Sequence, residues 1–218
     1  MLSIVIPALN AASSLANCLQ AVQAADEIVV VDGGSSDGTG TLAEAAGARV
    51  VSAERGRGSQ LAAGAEAALG DWLLFLHADT VPGPAWHEAV LRHIARQPEQ
   101  AAAFRFRLDD RSWQARLVER GVALRVALLG LAYGDQGLLI SRALYRRVGG
   151  YRPLPLMEDV DLVRRIGRRR LRVLGETAVT SAERWRRDGW LRRSARNLAC
   201  LAAWRAGLGP ERIARLYR

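Results

Sequence analysis

Short apolar runs separated by Ala-rich amphipathic segments organise the first 80 residues. The runs begin near Ser3 (SIVIPA), Ile28 (IVVVD), Arg49 (RVVSA) and Trp72 (WLLFLH), and each ends in a polar or Gly-containing turn. Runs this short, β-branched or Leu-rich and bounded by turn signals, read as strands buried on both faces. In the first interval Leu15, Cys18, Leu19 and Val22 fall at i, i+3, i+4 and i+7, the spacing of one helix face, with Ser13 or Ser14 as the expected N-cap. Strand and helix alternating about every 23 residues imply right-handed βαβ units and a parallel, Rossmann-like sheet.

Beyond Pro82-Gly83-Pro84 the rhythm changes. A helix is predicted through Trp86, Val90, Leu91 and Ile94, a strand over Ala102–Leu108 and a long helix over Trp113–Leu131. Then come a strand over Gly137–Ser141, a short helix to Gly149, a helix over Glu158–Arg168 and a strand or two between Leu171 and Thr180. From Asp188 onward the pattern is helical, broken at Gly207-Leu208-Gly209-Pro210. No low-complexity linker or longer repeat interrupts the chain. The expected organisation is one domain over 1–180 and a helical extension over 181–218, packed on it or on a membrane or partner.

Composition narrows the classes. With 218 residues, half of them hydrophobic, the chain can bury a sizeable core, which excludes disorder. Cys18 and Cys200 stand alone without a partner motif, which leaves no material for a zinc cluster or disulfide framework and suits a reducing cytoplasm. The opening Met1-Leu2-Ser3-Ile4-Val5-Ile6-Pro7 has no basic n-region, so no signal peptide is expected. The longest apolar tract, Val122–Tyr133, contains Arg125 and falls short of the ~20 residues that span a bilayer. The formal net charge is +9 and every one of the 31 basic residues is Arg. Such a surplus attracts phosphates, nucleic acids or anionic lipid heads, without choosing among them.

In open α/β sheets ligands bind beyond the carboxyl ends of the strands, and the polar and Gly-rich segments cluster there. They are Pro7-Ala8-Leu9-Asn10, Asp32 to Thr39, Arg55-Gly56-Arg57-Gly58 and His77-Ala78-Asp79. The segment after Asp32 lacks G-x-G-x-x-G spacing and follows the second strand, so a dinucleotide site is a poor reading. Asp79 either caps the next helix or ligates a hard cation, Mg²⁺ or Mn²⁺, together with substrate phosphates. Arg57, in a Gly-flanked turn, suits a diphosphate bridged by that metal. Glu158 and Asp159 open a helix, where acids stabilise the helix dipole and where a carboxylate can also act as a general base.

Taken in order, IVIPALN, VVVDGGSSDGT, GRGSQLAAGA, LFLHADT, GDQGLLISRALYRRVGGY and PLMEDVDLVRRI resemble the family 2 glycosyltransferases, over roughly residues 2–175. The resemblance implies the α/β GT-A fold: a Rossmann-like mixed, mostly parallel sheet flanked by helices, here with a helical basic C-terminal tail. It implies an inverting transfer from a nucleotide-diphosphate sugar, a UDP-sugar favoured, to an acceptor hydroxyl, with Mg²⁺ or Mn²⁺. Asp32 would contact the base beside Pro7, Ala8 and Asn10, with Gly34, Arg57, Gln60 and Ala78 completing the donor site. Asp79 would hold the metal, with His77 as a weak ligand or mere filling where a D-x-D motif has its first Asp. Asp159 would be the base and Glu158 its orienting partner, with Asp135, Gln136 and Trp185 on the acceptor side. Ala11 and Gly33 depart from the acidic residues common at those positions. The HADT, GDQG and PLMED variants look most like a bacterial subgroup described as radical-SAM/selenodomain-associated transferases.

Two other classes stay open. A sugar-nucleotide pyrophosphorylase would favour a Gly-rich basic loop after the first strand, where this chain has Ala8-Leu9-Asn10-Ala11. A non-enzymatic basic module binding RNA or membrane is argued by the Arg run Arg164 to Arg172 and by Arg184 to Arg193 beside Trp185 and Trp190. That module leaves the strand-end motifs and the Glu158-Asp159 pair unexplained, and nucleic acid is not the expected partner. In the tail, Leu191, Ala195, Leu198, Leu201 and Trp204 would share one side, fit for docking on the domain, self-association or a peripheral contact with an anionic membrane.

Overall fold

The computed structural model describes residues 1–217. Four strands, β1 (Leu2–Ala8), β2 (Glu27–Asp32), β3 (Arg49–Ser52) and β4 (Trp72–Phe75), are joined by α1 (Ala12–Ala21), α2 (Thr39–Ala45) and α3 (Arg57–Ala67). β1 pairs in parallel with β2 and β4, and β2 with β3. The chain then adds β5 (Thr80–Pro82), α4 (Trp86–Arg96), β6 (Ala101–Leu108), α5 (Trp113–Leu129), β7 (Leu138–Ser141), α6 (Arg142–Arg147), α7 (Glu158–Ile166) and β8 (Leu171–Thr180). Three helices follow: α8 (Glu183–Asp188), α9 (Trp190–Arg205) and α10 (Pro210–Tyr217). All strands form one sheet in the order β3-β2-β1-β4-β7-β6-β8-β5. β7 runs antiparallel to β4 and β6, β8 is parallel to β6, and β5 lies antiparallel at the edge.

Side-chain alternation explains why the runs are apolar throughout. Along β1, Val5 joins Val29, Val31, Leu73 and Phe75 in one core, whereas Ile4 and Ile6 join Val30, Leu74 and Leu76 in the other. A strand flanked by helices on both faces needs apolar residues at both parities. Helix α3 lies close on β1 and β2, because Gly64 has no side chain: a Cβ there would sit 2.7 Å from Val31 Cγ2.

Several elements differ from the sequence pattern. Neither Ser13 nor Ser14 caps α1. Ala11 occupies the N-cap, and the free N–H groups of Ala11 and Ala12 donate instead to Thr39 Oγ1 and Asp37 Oδ2 at 2.9 and 3.0 Å. The cap thus comes from the loop after β2, 25 or more residues away. β5 and α8 carry no periodicity long enough to predict them, and the segment 171–180 is a single ten-residue strand. Helix α7 stops at Ile166 because Gly167 turns to a φ of 81°. In α9 the expected stripe divides: Leu201 is buried and Trp204 packs on the core, whereas Leu191 and Leu198 face solvent.

Gly58, in the first turn of α3, fixes how that helix meets the segment before α7. A Cβ at Gly58 would lie 2.8 Å from the Leu154 nitrogen and closer still to the Arg152 carbonyl oxygen. Backbone cannot swing aside as a flexible side chain can. Gly58→Ala is therefore expected to destabilise the protein by about 1–3 kcal/mol, the usual penalty of overpacking. Urea unfolding will read this as a lower midpoint at unchanged m-value.

Candidate active site

The carboxyl end of β1 and the segments that follow β3 and β4 open on one cleft of about 490 Å³. The loops after β1 and β2 are closed onto each other. Gly33 N donates to Ala8 O at 3.0 Å, Asn10 N to Ser35 Oγ at 2.9 Å, and Ser36 N to Asn10 Oδ1 at 2.9 Å. Asn10 sits at a φ of 49°, a left-handed conformation that Asn tolerates because its amide bonds locally. Asp32 accepts from Ser35 N and Ser35 Oγ, which orients its carboxylate at the end of β2. Gly34 turns the chain there with a φ of 91°.

Pro7, Ala8, Asn10, Arg57, Gln60, His77, Ala78, Asp79 and Glu158 all line this cleft, whereas Asp32, Gly34, Asp135, Gln136, Asp159 and Trp185 do not. Gln60 is buried, and its amide nitrogen donates to Ala8 O and Val31 O, both at 2.8 Å. Those bonds make Gln60 a brace between the ends of β1 and β2, a different part from the ligand contact expected of it. Sequence reasoning missed Arg184 and Glu183 on α8 and Tyr217 at the end of α10, all of which line the cleft. Arg184 stood among the counted Arg residues of the tail, but nothing in its spacing aimed it at the cleft.

Arg57 Nη1 lies 3.5 Å from Glu158 Oε1, joining the start of α3 to the start of α7. Burial pushes the Glu158 carboxyl up to about 7, with Asp159 raising it further and Arg57 opposing. Asp159 turns the other way: its Oδ2 accepts from Gly134 N at 2.8 Å, and its Oδ1 from Val160 N at 2.7 Å. After burial, its charge is among the influences on Arg57, Tyr133, Asp135, Tyr151 and Glu158. Asp135 is raised to about 6, chiefly by burial, with its Oδ1 unpartnered. Gln136 donates from Nε2 to Phe104 O and accepts from Arg125, so it supports the loop that carries Asp135. Trp185 stacks on Trp190 at 5.8 Å and packs on the core.

His77 and Asp79 flank the turn between β4 and β5, closed by Thr80 N donating to His77 O at 3.0 Å. Burial, then the neighbouring Arg57 and Arg184, hold the His77 imidazole well below its ordinary pKa, so it is neutral at pH 7. Gly134 packs against its ring, where a Cβ would come within 2.8 Å of Cε1. Among the described residues no three His, Cys, Asp or Glu side chains gather as a complete metal cage. One carboxylate with an adjacent neutral imidazole is still a sound donor set for a hard cation whose other ligands are phosphate oxygens and water.

Fold and cleft together place Arg57 and Arg184 beside Asp79 and Glu158 at one end of an α/β sheet. The family model described as Glycosyl transferase family 2 matches residues 3–147, and the chain belongs to that family. Its fold is that of glucosyl-3-phosphoglycerate synthase from Mycobacterium tuberculosis. A complex of that enzyme with Mn²⁺, UDP and glucosyl-3-phosphoglycerate is 22% identical, with 83% of this chain and 70% of that one covered at a TM-score of 0.58. A complex with Mn²⁺, UDP-glucose and phosphoglyceric acid is 23% identical, with 79% and 68% covered at 0.58. A complex with Mg²⁺ and UDP is 24% identical, with 83% and 69% covered at 0.58. Among the described residues no helix is long and apolar enough to cross a membrane.

Proposed function

We propose that the protein moves a sugar from a UDP-sugar to an acceptor hydroxyl with inversion at the anomeric carbon, in a reaction that needs Mg²⁺ or Mn²⁺. The observation that carries this reading is the Arg57–Glu158 contact, which joins the start of α3 to the start of α7 at a cleft that Asp79 also lines. The similar mycobacterial enzyme is described with UDP and either metal, which supports the choice of donor and cation. The motif variants support a place near the radical-SAM/selenodomain-associated subgroup. The two buried free cysteines suit a bacterial cytoplasm.

In this reading Asp79, with His77 beside it, would hold the cation against the donor diphosphate. When bound, the cation supplies charge neutralisation of the leaving nucleoside diphosphate. Arg57 and Arg184 add guanidinium charge to the same leaving group. The Ala8–Asn10 and Asp32–Ser36 loops, fastened by their mutual hydrogen bonds, hold the base. On the acceptor side Asp159 takes the proton from the attacking hydroxyl as the new C–O bond forms and the bond to the diphosphate oxygen breaks. Gly134 N–H keeps that carboxylate in place. Glu158 restrains Arg57 next to it.

Thermal shift with UDP, GDP, ADP and TDP, each with and without Mn²⁺ or Mg²⁺, tests the reading. A ligand at 100 times its Kd stabilises by about 2.7 kcal/mol. For a chain of this size that is a rise of roughly 5–10 °C. UDP with metal should give the largest shift. No shift with any of the four in the presence of metal overturns the proposal.

A further inference from the structure

The long helix α5 has an outer face that the site does not use. On a 3.6-residue helix Trp113, Leu117, Leu124 and Leu128 fall within an arc of about 60°. They are 71%, 56%, 60% and 60% exposed. With Leu129 and, on β8, Val173, they make half of the exposed large apolar side chains among the described residues. Singly exposed apolar residues need no explanation, but a stripe along one helix does.

Beside the stripe, a groove of about 770 Å³ runs between α5, β6 and β8, floored by residues such as Phe106, Val122 and Leu171. Arg105, Arg107, Arg120, Arg168 and Arg172 stand around it, from four separate segments. The acid in the groove, Glu119, is buried and bonded to Arg116 at 2.6 Å, to Leu108 N at 2.9 Å and, at 3.6 Å, to Arg107. Arg105, Arg120, Arg168 and Arg172 form no salt bridge among the described residues, and α5 exposes no carboxylate. Guanidinium groups left unpaired by the protein seek anions elsewhere.

We propose that this face, the α5 stripe with its arginine-rimmed groove, seats the protein on an anionic phospholipid bilayer. Leu117, Leu124 and Leu128 enter the acyl boundary, Trp113 lies at the headgroup level, and the arginines meet lipid phosphates. A second copy of the chain is the poorer occupant. In a twofold contact the same unpaired arginines would face themselves. The face lies on α5, whereas the tail arginines Arg193 and Arg196 are already paired with Asp188 at 2.8 and 2.5 Å. The inference stands apart from the transferase reading and survives its failure.

Flotation of the full chain with vesicles of 30% phosphatidylglycerol in phosphatidylcholine, against phosphatidylcholine alone, is the test. Binding is expected only to the anionic vesicles, and it should weaken steeply in high salt. One basic residue near such a surface is worth about fivefold. Arg120→Glu with Arg172→Glu should therefore lose at least about 25-fold, again by the contribution of each charge. Leu117→Glu with Leu124→Glu should also lose binding, with an unchanged melting temperature because both positions are exposed. Leu191→Glu with Leu198→Glu on α9 should bind as wild type. Absence of binding to anionic vesicles, binding that persists in both α5 variants, or a dimer in light scattering that only the α5 variants abolish would each overturn the proposal.

Discussion

Asp79→Ala is expected to lower turnover by about a thousandfold or more while leaving the fold intact. The metal in such a transfer supplies several kcal/mol of charge stabilisation, and about 4 kcal/mol corresponds to a thousandfold in rate. Among the described residues no cluster of three or more His, Cys, Asp or Glu side chains stands ready to take over. The Asp79 side chain accepts no hydrogen bond among the described residues, and the backbone of the turn is held independently, with Ser181 N donating to Asp79 O at 3.2 Å. Little stability therefore depends on the carboxylate. The UDP thermal shift should become small and indifferent to Mn²⁺ in the variant. His77→Ala should cost far less than Asp79→Ala, since a neutral imidazole packed on Gly134 adds at most one weak ligand. Metal-dependent turnover of Asp79→Ala within tenfold of wild type would remove Asp79 from the metal site.

The N-terminal half was legible because β1, β2 and β4 lie inside the sheet and appear as unbroken apolar runs, whereas the edge strand β3 is largely exposed. The second half was legible only in pieces. β5 has three residues, and its place at the far edge of the sheet depends on pairing with β8, a hundred residues later. The cap of α1 escaped for the same reason: local pattern proposes Ser13 or Ser14, and the fold supplies Asp37 and Thr39 from across the loop. At the site, the motifs pointed to Arg57, Asp79 and Glu158, which line one cleft with Arg57 and Glu158 3.5 Å apart. They could not show that the Gln60 amide faces two backbone carbonyls, nor that α8 and α10 bring Arg184 and Tyr217 to the cleft. Those placements depend on the packing of α9, where Leu201 and Trp204 face the core and leave Leu191 and Leu198 outside.

The two carboxylates of α7 should separate cleanly when each is replaced by its amide. Asp159→Asn removes the proposed base and is expected to lower kcat by about 10²–10⁴, the range of general-base catalysis, with UDP binding unchanged. The fold should tolerate it at a modest cost, because the Asn oxygen can still accept from Gly134 N while its amide nitrogen gives up the bond from Val160 N. Glu158→Gln should cost less in kcat, because in the proposed mechanism Glu158 restrains Arg57 and takes no proton from substrate. Its signature is in stability. The Glu158 carboxyl is raised by burial to about 7 in the folded protein, from an ordinary 4.5 when unfolded. Between those values the native state binds more protons, so stability falls as pH rises through that window. Wild type should therefore gain melting temperature on going from pH 8 to pH 5 relative to Glu158→Gln, in which this component is absent. If Glu158→Gln shows the larger loss of kcat, and Asp159→Asn turns over within tenfold of wild type, the base is Glu158. In that case the proton leaves toward the Arg57 side of the cleft.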